Sequence, residues 1–202
     1  MAINPTHSVM HGVAIKKNGT LEEITVISGV APAVAKVTME AAVLSGRIID
    51  VDGRYMLSSA GHMIVTAEYS RFYADLRNDT KFVAAYEQFE LINNDLKQLI
   101  TQWQTVEIGG KRVANDHSDA DYDDKVIGRL GDLHERFEPA LDALVAGDSR
   151  FGLYKVALTE ALEKAEDGDT AWVSDARTAS YHTVWFELHE DLLRVLGHER
   201  QE

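Results

Sequence analysis

LEEITVISGVAPAVAKVTMEAAVLSGRIIDVDGRYMLSSAG, residues 21–61, decides how the first part of this chain folds. Thr20 stands before it as an N-cap, and Glu22 and Glu23 place negative charge beside the unpaired amides of a first turn. A helix from Leu21 to Ser28 follows, and Gly29 supplies the left-handed residue that ends it. Pro32 fits the first turn of the next helix, where its missing N–H costs nothing, and that helix runs to about Ser45. Within it Val30, Val34, Val37, Ala41 and Leu44 recur at spacings of three and four. That stripe is expected to pack inward, leaving Ala33, Lys36, Met39 and Glu40 on the other face. Gly46 then closes the helix, and Asp52-Gly53 between Arg47–Val51 and Arg54–Leu57 is a strong short-range hairpin signal. Ser58 or Ser59 caps the helix after it.

Upstream, His7–Lys17 reads as a short helix stopped by Asn18-Gly19. Downstream the pattern stays helical. A connecting helix runs from Ser59 to Asn78 and a long one from Thr80 to Gln104, with Phe82, Phe89, Leu96, Leu99 and Trp103 on its apolar stripe. Residues 106–125, with Gly109-Gly110 and a run of Asn, Asp and His, break the periodicity and are expected to form a loop. Further helices follow around residues 125–145, 151–165 and 178–196. The expected architecture is mainly α, divided into an N-terminal domain of residues 1–78 and an acidic helical domain of residues 79–202.

The order helix, helix, glycine turn, helix, hairpin, helix, with "LSGRIIDVDGRYMLSSAG" at its end, resembles the winged helix-turn-helix domain of MarR- and PadR-like bacterial regulators. The resemblance covers about a quarter of the chain. It implies a DNA-binding transcriptional regulator, a homodimer on double-stranded DNA whose helical body dimerises or senses a small-molecule effector. It also implies that Lys36 and Arg54 contact phosphate, with Arg47 and Lys17 behind them. Yet the helix carries no Arg, Asn or Gln to make bidentate bonds to bases, so a winged fold that docks a protein stands as the alternative. The segments "NDHSDADYD" and "SYHTVWFELHEDLL" are similar to stretches of uncharacterised actinobacterial regulator-like proteins with the same winged front end, which supports the two-part layout alone.

Charge bears on both readings. The net charge is −13. Residues 1–80 hold seven basic and eight acidic side chains, so nearly all of the excess lies beyond them. A near-neutral front attached to an acidic body permits a polyanionic partner without demanding one. With no cysteine in the chain, disulfides, thiolate metal sites and cysteine nucleophiles are excluded. No apolar run approaches the roughly 18 residues that span a bilayer, so no membrane partner is expected and the cytoplasm is the expected location.

Residues 180–193 are the most unusual stretch, for His182 and His189 share an apolar helical face. Three readings stay open: core histidines bonded to carboxylates; an effector pocket lined by Trp103, Asn115, His117, Trp172, His182, Trp185 and His189; or a His/carboxylate metal enzyme drawing on His117, His134, His182 and His189. No H-E-x-x-H, phosphate loop or nucleophile elbow is present, so no cofactor, metal or catalytic residue is assigned.

Overall fold

The computed structural model describes residues 4–199, except for the side chain of Ile108. They are mainly helical, with a few short antiparallel strands. Chain contacts divide them into two compact units, one of residues up to Asp79 together with those from Glu187 onward, the other Thr80–Phe186. The division differs from a cut near residue 78 alone, because the last helix contributes its second half to the first unit.

In the first unit α1 (Pro5–Lys16) starts at Asn4, whose side chain accepts from the Thr6 amide, and buries eight consecutive or near-consecutive residues from His7 to Ile15. A helix buried on nearly every side is the centre of its unit rather than a surface element. After the two-residue strand β1 (Gly19–Thr20), Thr20 and Glu23 cap α2 (Leu21–Ser28) reciprocally: Thr20 accepts from the Glu23 amide at 3.3 Å, and Glu23 accepts from the Thr20 amide at 2.7 Å. Gly29 ends α2 at φ 63°, and after residues 29–31 the axis of α3 (Pro32–Leu44) departs from that of α2 by 113°.

Strands β2 (Ile48–Val51) and β3 (Arg54–Leu57) form a hairpin in the register Ile48↔Leu57 to Val51↔Arg54, with Asp52 and Gly53 both at positive φ. Strand β1 pairs with the other edge of β3, so the sheet order is β1-β3-β2. Next, α4 (Ser59–Phe72) is capped by Ser58. Gly61 in its first turn is required by close approach: a Cβ there would lie 2.1 Å from the backbone oxygen of Arg47. The connecting helix expected to run unbroken to Asn78 is interrupted at Tyr73, whose φ of −110° and ψ of 20° leave the helical basin, and resumes as α5 (Ala74–Asn78).

The second unit begins with α6 (Thr80–Gln104) and continues through β4 (Thr105–Ile108), β5 (Lys111–Ala114) and α7 (Ala120–Gly147). The first part of the stretch expected to be a loop is therefore a second hairpin, turned by Gly109 and Gly110 at positive φ, and the last residues of the stretch already belong to α7. Its short alternating runs were masked by the glycines and the acidic residues after them. A 3-10 turn at Ser149–Phe151, α8 (Gly152–Glu166) and the short α9 (Ala171–Ser174) lead to α10 (Tyr181–Leu196). Phe89, Phe137 and Trp185 meet at ring-centroid distances of 4.7 to 5.8 Å, and the Trp185 indole N–H donates to Asn93 Oδ1 at 3.0 Å. A buried tryptophan whose one donor is satisfied is a packing anchor.

Candidate functional site

Ala33, Lys36 and Glu40 of α3 face outward as periodicity suggested, but the valine stripe does not pack inward and Met39 does. Ala35, Met39 and Ala42 are the buried residues of this helix, whereas Val34, Val37 and Leu44 are 43%, 66% and 90% exposed. The reason is steric. Two alanines at i and i+7, with Met39 between them, let α3 lie close to α1, whereas the bulkier valine stripe would hold it off. What faces outward is Ala33, Val34, Lys36, Val37, Glu40, Ala41 and Leu44.

Beside this face a groove of about 400 Å³ separates α3 from the hairpin. Leu21, Met39, Val43, Leu44 and Tyr55 supply its apolar surface, and Lys36, Glu40 and Asp50 supply its charges. Burial pushes the Tyr55 phenol above its ordinary pKa, and the negative charges of Asp50 and Glu40, with a hydrogen bond to Asp50, push it further. Among the charges lining the groove, Glu40 and Asp50 outnumber Lys36 by one.

The four basic residues expected at a phosphate surface are dispersed in role. Lys36 is exposed on α3. Arg54 is committed to the turn before β1: its guanidinium donates to the Asn18 carbonyl oxygen and, from Nε, to Asn18 Oδ1 at 3.3 Å, with Glu23 3.9 Å away. Arg47 is half-buried, and its backbone oxygen accepts from the Ser58 amide. Lys17 closes the C-terminus of α1 at φ 59°.

Of the seven residues expected around an effector, six lie in the second unit and His189 in the first. Trp103, Asn115 and His117 do meet: the Asn115 amide donates to the Trp103 carbonyl oxygen and to Asp123 Oδ1, both at 3.0 Å. His117 Nδ1 lies 2.9 Å from Asp123 Oδ2, and its ring packs on Trp103 at 4.5 Å. This network closes the hairpin onto the start of α7, where Asp119 caps the helix. Trp185 belongs to the aromatic core of the same unit. Trp172 lies elsewhere in it, under the Lys164 ammonium at 3.7 Å. His182 is half-buried, and burial holds its pKa below the ordinary histidine value. His189 is buried in the other unit. Among the described residues no group of three or more His, Asp or Glu side chains converges on a metal-sized space.

Sequence reasoning missed a buried polar chain in the first unit. His11 Nε2 lies 3.0 Å from Asp191 Oδ1, and His11 Nδ1 lies 2.9 Å from the Tyr69 hydroxyl. Near it His7 Nδ1 meets Glu68 at 3.1 Å. The visible signal was the i, i+4 spacing of His7 and His11 inside an apolar segment, which puts both rings on one helical face. No single helix among the described residues is long and apolar enough to cross a membrane. Comparison of the chain with protein-family models, with curated proteins and with solved structures finds no match.

Proposed function

We propose that the first unit is a winged helix-turn-helix whose α3 face docks a protein partner, and that the acidic helical unit is the body joined to it. The winged reading is supported by the three-residue glycine turn and the 113° change of direction between α2 and α3, within the roughly 90–120° typical of helix-turn-helix pairs. The hairpin directly after α3 supports it as well.

Docking of protein rests on one observation: the face that a DNA-binding winged domain would lay in the major groove presents Val34, Val37 and Leu44, all substantially exposed. Contiguous apolar surface left in water marks an interaction site. Base edges ask for hydrogen-bonding side chains, and phosphates ask for cations. Here Lys36 is matched by Glu40 one turn on, and the hairpin sets Asp50 and Asp52 against Arg54, which is engaged with Asn18.

A photo-crosslinking residue at position 37 tests the proposal, with position 156, an equally exposed valine on α8, as control. Protein adducts at 37 and not at 156 are expected. Equal labelling at both positions would remove the docking assignment.

A second reading, a homodimeric transcriptional regulator on duplex DNA, draws on the same α2–α3 geometry. It requires affinity for a duplex that falls steeply with added salt and that Lys36→Glu abolishes. Binding of that kind would replace the protein-docking reading.

A further inference from the structure

Resting on the docking reading, we infer that the partner presents an extended, lysine- or arginine-bearing apolar segment that adds to the free edge of β2 and sets its side chains into the groove between α3 and the hairpin. Three features of the surface fix this chemistry.

The first is the edge itself. In the order β1-β3-β2, strand β2 pairs with β3 on one side and with no strand on the other among the described residues. An unpaired edge offers its backbone amides and carbonyls as a template for another extended chain. Soluble proteins usually blunt such an edge with lysine, proline or a bulge; β2 has none of these and carries Ile49 and Val51, 45% and 51% exposed, on either side of Asp50.

The second feature is the groove alongside. Asp50 and Tyr55 are cross-strand partners and therefore share one face of the hairpin, the face that lines the groove opposite Met39, Val43 and Leu44 of α3. A strand added to β2 places alternate side chains over that face. About 400 Å³ accommodates one or two apolar side chains.

Sign of charge is the third. Glu40 and Asp50 rim the groove against Lys36, and both depress the ionisation of Tyr55. A second copy of this chain, with its net charge of −13, and an acidic peptide are both disfavoured there. Lys36 is the first of the α3 residues that line the groove, so the cations of the partner belong past it, at the Glu40 and Asp50 positions.

Fluorescence anisotropy on the full chain tests this with three labelled peptides of equal length, each with serine at every second residue so that one face of the strand carries the rest: lysine and valine in turn, glutamate and valine in turn, and lysine and serine in turn. The lysine–valine peptide is expected to bind at least about tenfold more tightly than either other, an energy difference near 1.4 kcal/mol. Glu40→Lys and Asp50→Lys should each weaken it several-fold, while Asp132→Lys on the exposed face of α7, the same change in net charge, should not. Equal loss with Asp132→Lys would reduce the effect to bulk attraction and overturn the site. Preferential binding of the glutamate–valine peptide would overturn the sign of the partner and leave docking intact. No binding by any peptide overturns the extended-segment inference, and the position-37 crosslinks then decide separately whether docking by another kind of surface survives.

Discussion

His11 and Asp191, 180 residues apart in the chain, share a 3.0 Å hydrogen bond with side chains 1% and 0% exposed. A carboxylate only accepts, so Nε2 donates to Asp191, and Nδ1 lies 2.9 Å from the Tyr69 hydroxyl. One imidazole thereby ties α1, α4 and α10 together inside the first unit. Losing either end removes a hydrogen bond in a place away from water, where polar groups are costly to leave short of one. His11→Ala or Asp191→Ala is expected to cost about 3–5 kcal/mol of unfolding free energy, and the double variant should cost less than the two single losses added. Additive losses in urea unfolding would show that the two side chains act independently.

This pairing marks where the sequence stopped being legible. Caps, glycine stops and the Asp52-Gly53 turn are local signals, and α2, α3 and the hairpin are where those signals placed them. The inward face of α3 depends on how near α1 can come, which the small side chains of Ala35 and Ala42 permit, and the place of α1 is something no window on α3 alone contains. Likewise, that residues from Glu187 onward join the first unit rests on contacts between chain ends. The hairpin of β4 and β5 was hidden for another reason: its strands of four residues alternate too briefly to stand out between a long helix and an acidic cap. For the candidate groove, Lys36, Glu40 and Asp50 were each visible, but their convergence with Tyr55 required the register of the hairpin.

Two glycines predict opposite outcomes for the same substitution. At Gly61 an added methyl group would collide with the Arg47 backbone oxygen at 2.1 Å, and backbone cannot swing aside as a side chain can. Gly61→Ala should therefore destabilise by about 2 kcal/mol or more. At Gly128, exposed within α7, an added Cβ meets nothing within 4 Å. Gly128→Ala should stabilise by about 0.5–1 kcal/mol through helix propensity. Thermal melts of the two variants should move in opposite directions; a rise with Gly61→Ala would contradict the packing at α4, and a fall with Gly128→Ala the open space at α7.

Arg54 provides a separate check on the hairpin. Its guanidinium holds Asn18, the residue before β1, although the side chain is 48% exposed. Exposure limits what such a contact is worth, so Arg54→Ala should cost only about 1 kcal/mol. The informative readout is local: amide exchange should accelerate at Gly19 and Thr20, which pair with Tyr55 and Arg54, while α6 and α7 keep their protection. Uniform acceleration through the chain would mean that the contact serves global stability instead.

Burial of His134 has a consequence for stability in mild acid. Its Nδ1 lies 3.1 Å from the Tyr181 hydroxyl, and burial, the largest influence, pulls its pKa below the ordinary 6.5 despite Glu138 nearby. The folded state then holds the proton less tightly than the unfolded state, so protonation favours unfolding. The stabilising contribution is complete above pH 6.5 and is lost as pH falls from there through the depressed folded value. His134→Gln should remove that part of the pH dependence, measured as the difference between the two unfolding curves across pH 7 to 5. A difference that grows in favour of the wild type on acidification would mean that Glu138 outweighs burial.

Glu187 runs the other way. Burial raises its pKa above the ordinary 4.5, and although Lys16 Nζ at 2.7 Å opposes the rise, burial is the larger influence. Because the folded state binds this proton more tightly than the unfolded state, the contribution of Glu187 to stability is greatest below pH 4.5 and declines as pH climbs to the raised folded value. An ion pair assembled for strength would show the opposite slope, since its carboxylate would titrate low. The comparison that decides is wild type against Glu187→Gln, a side chain of the same shape that cannot ionise, with unfolding free energies measured from pH 4 to 7. The wild-type advantage should shrink as pH rises through that interval. An advantage that grows with pH would mean that Lys16 compensates fully for the lost water, and that the junction where α10 passes into the first unit is held by charge attraction after all.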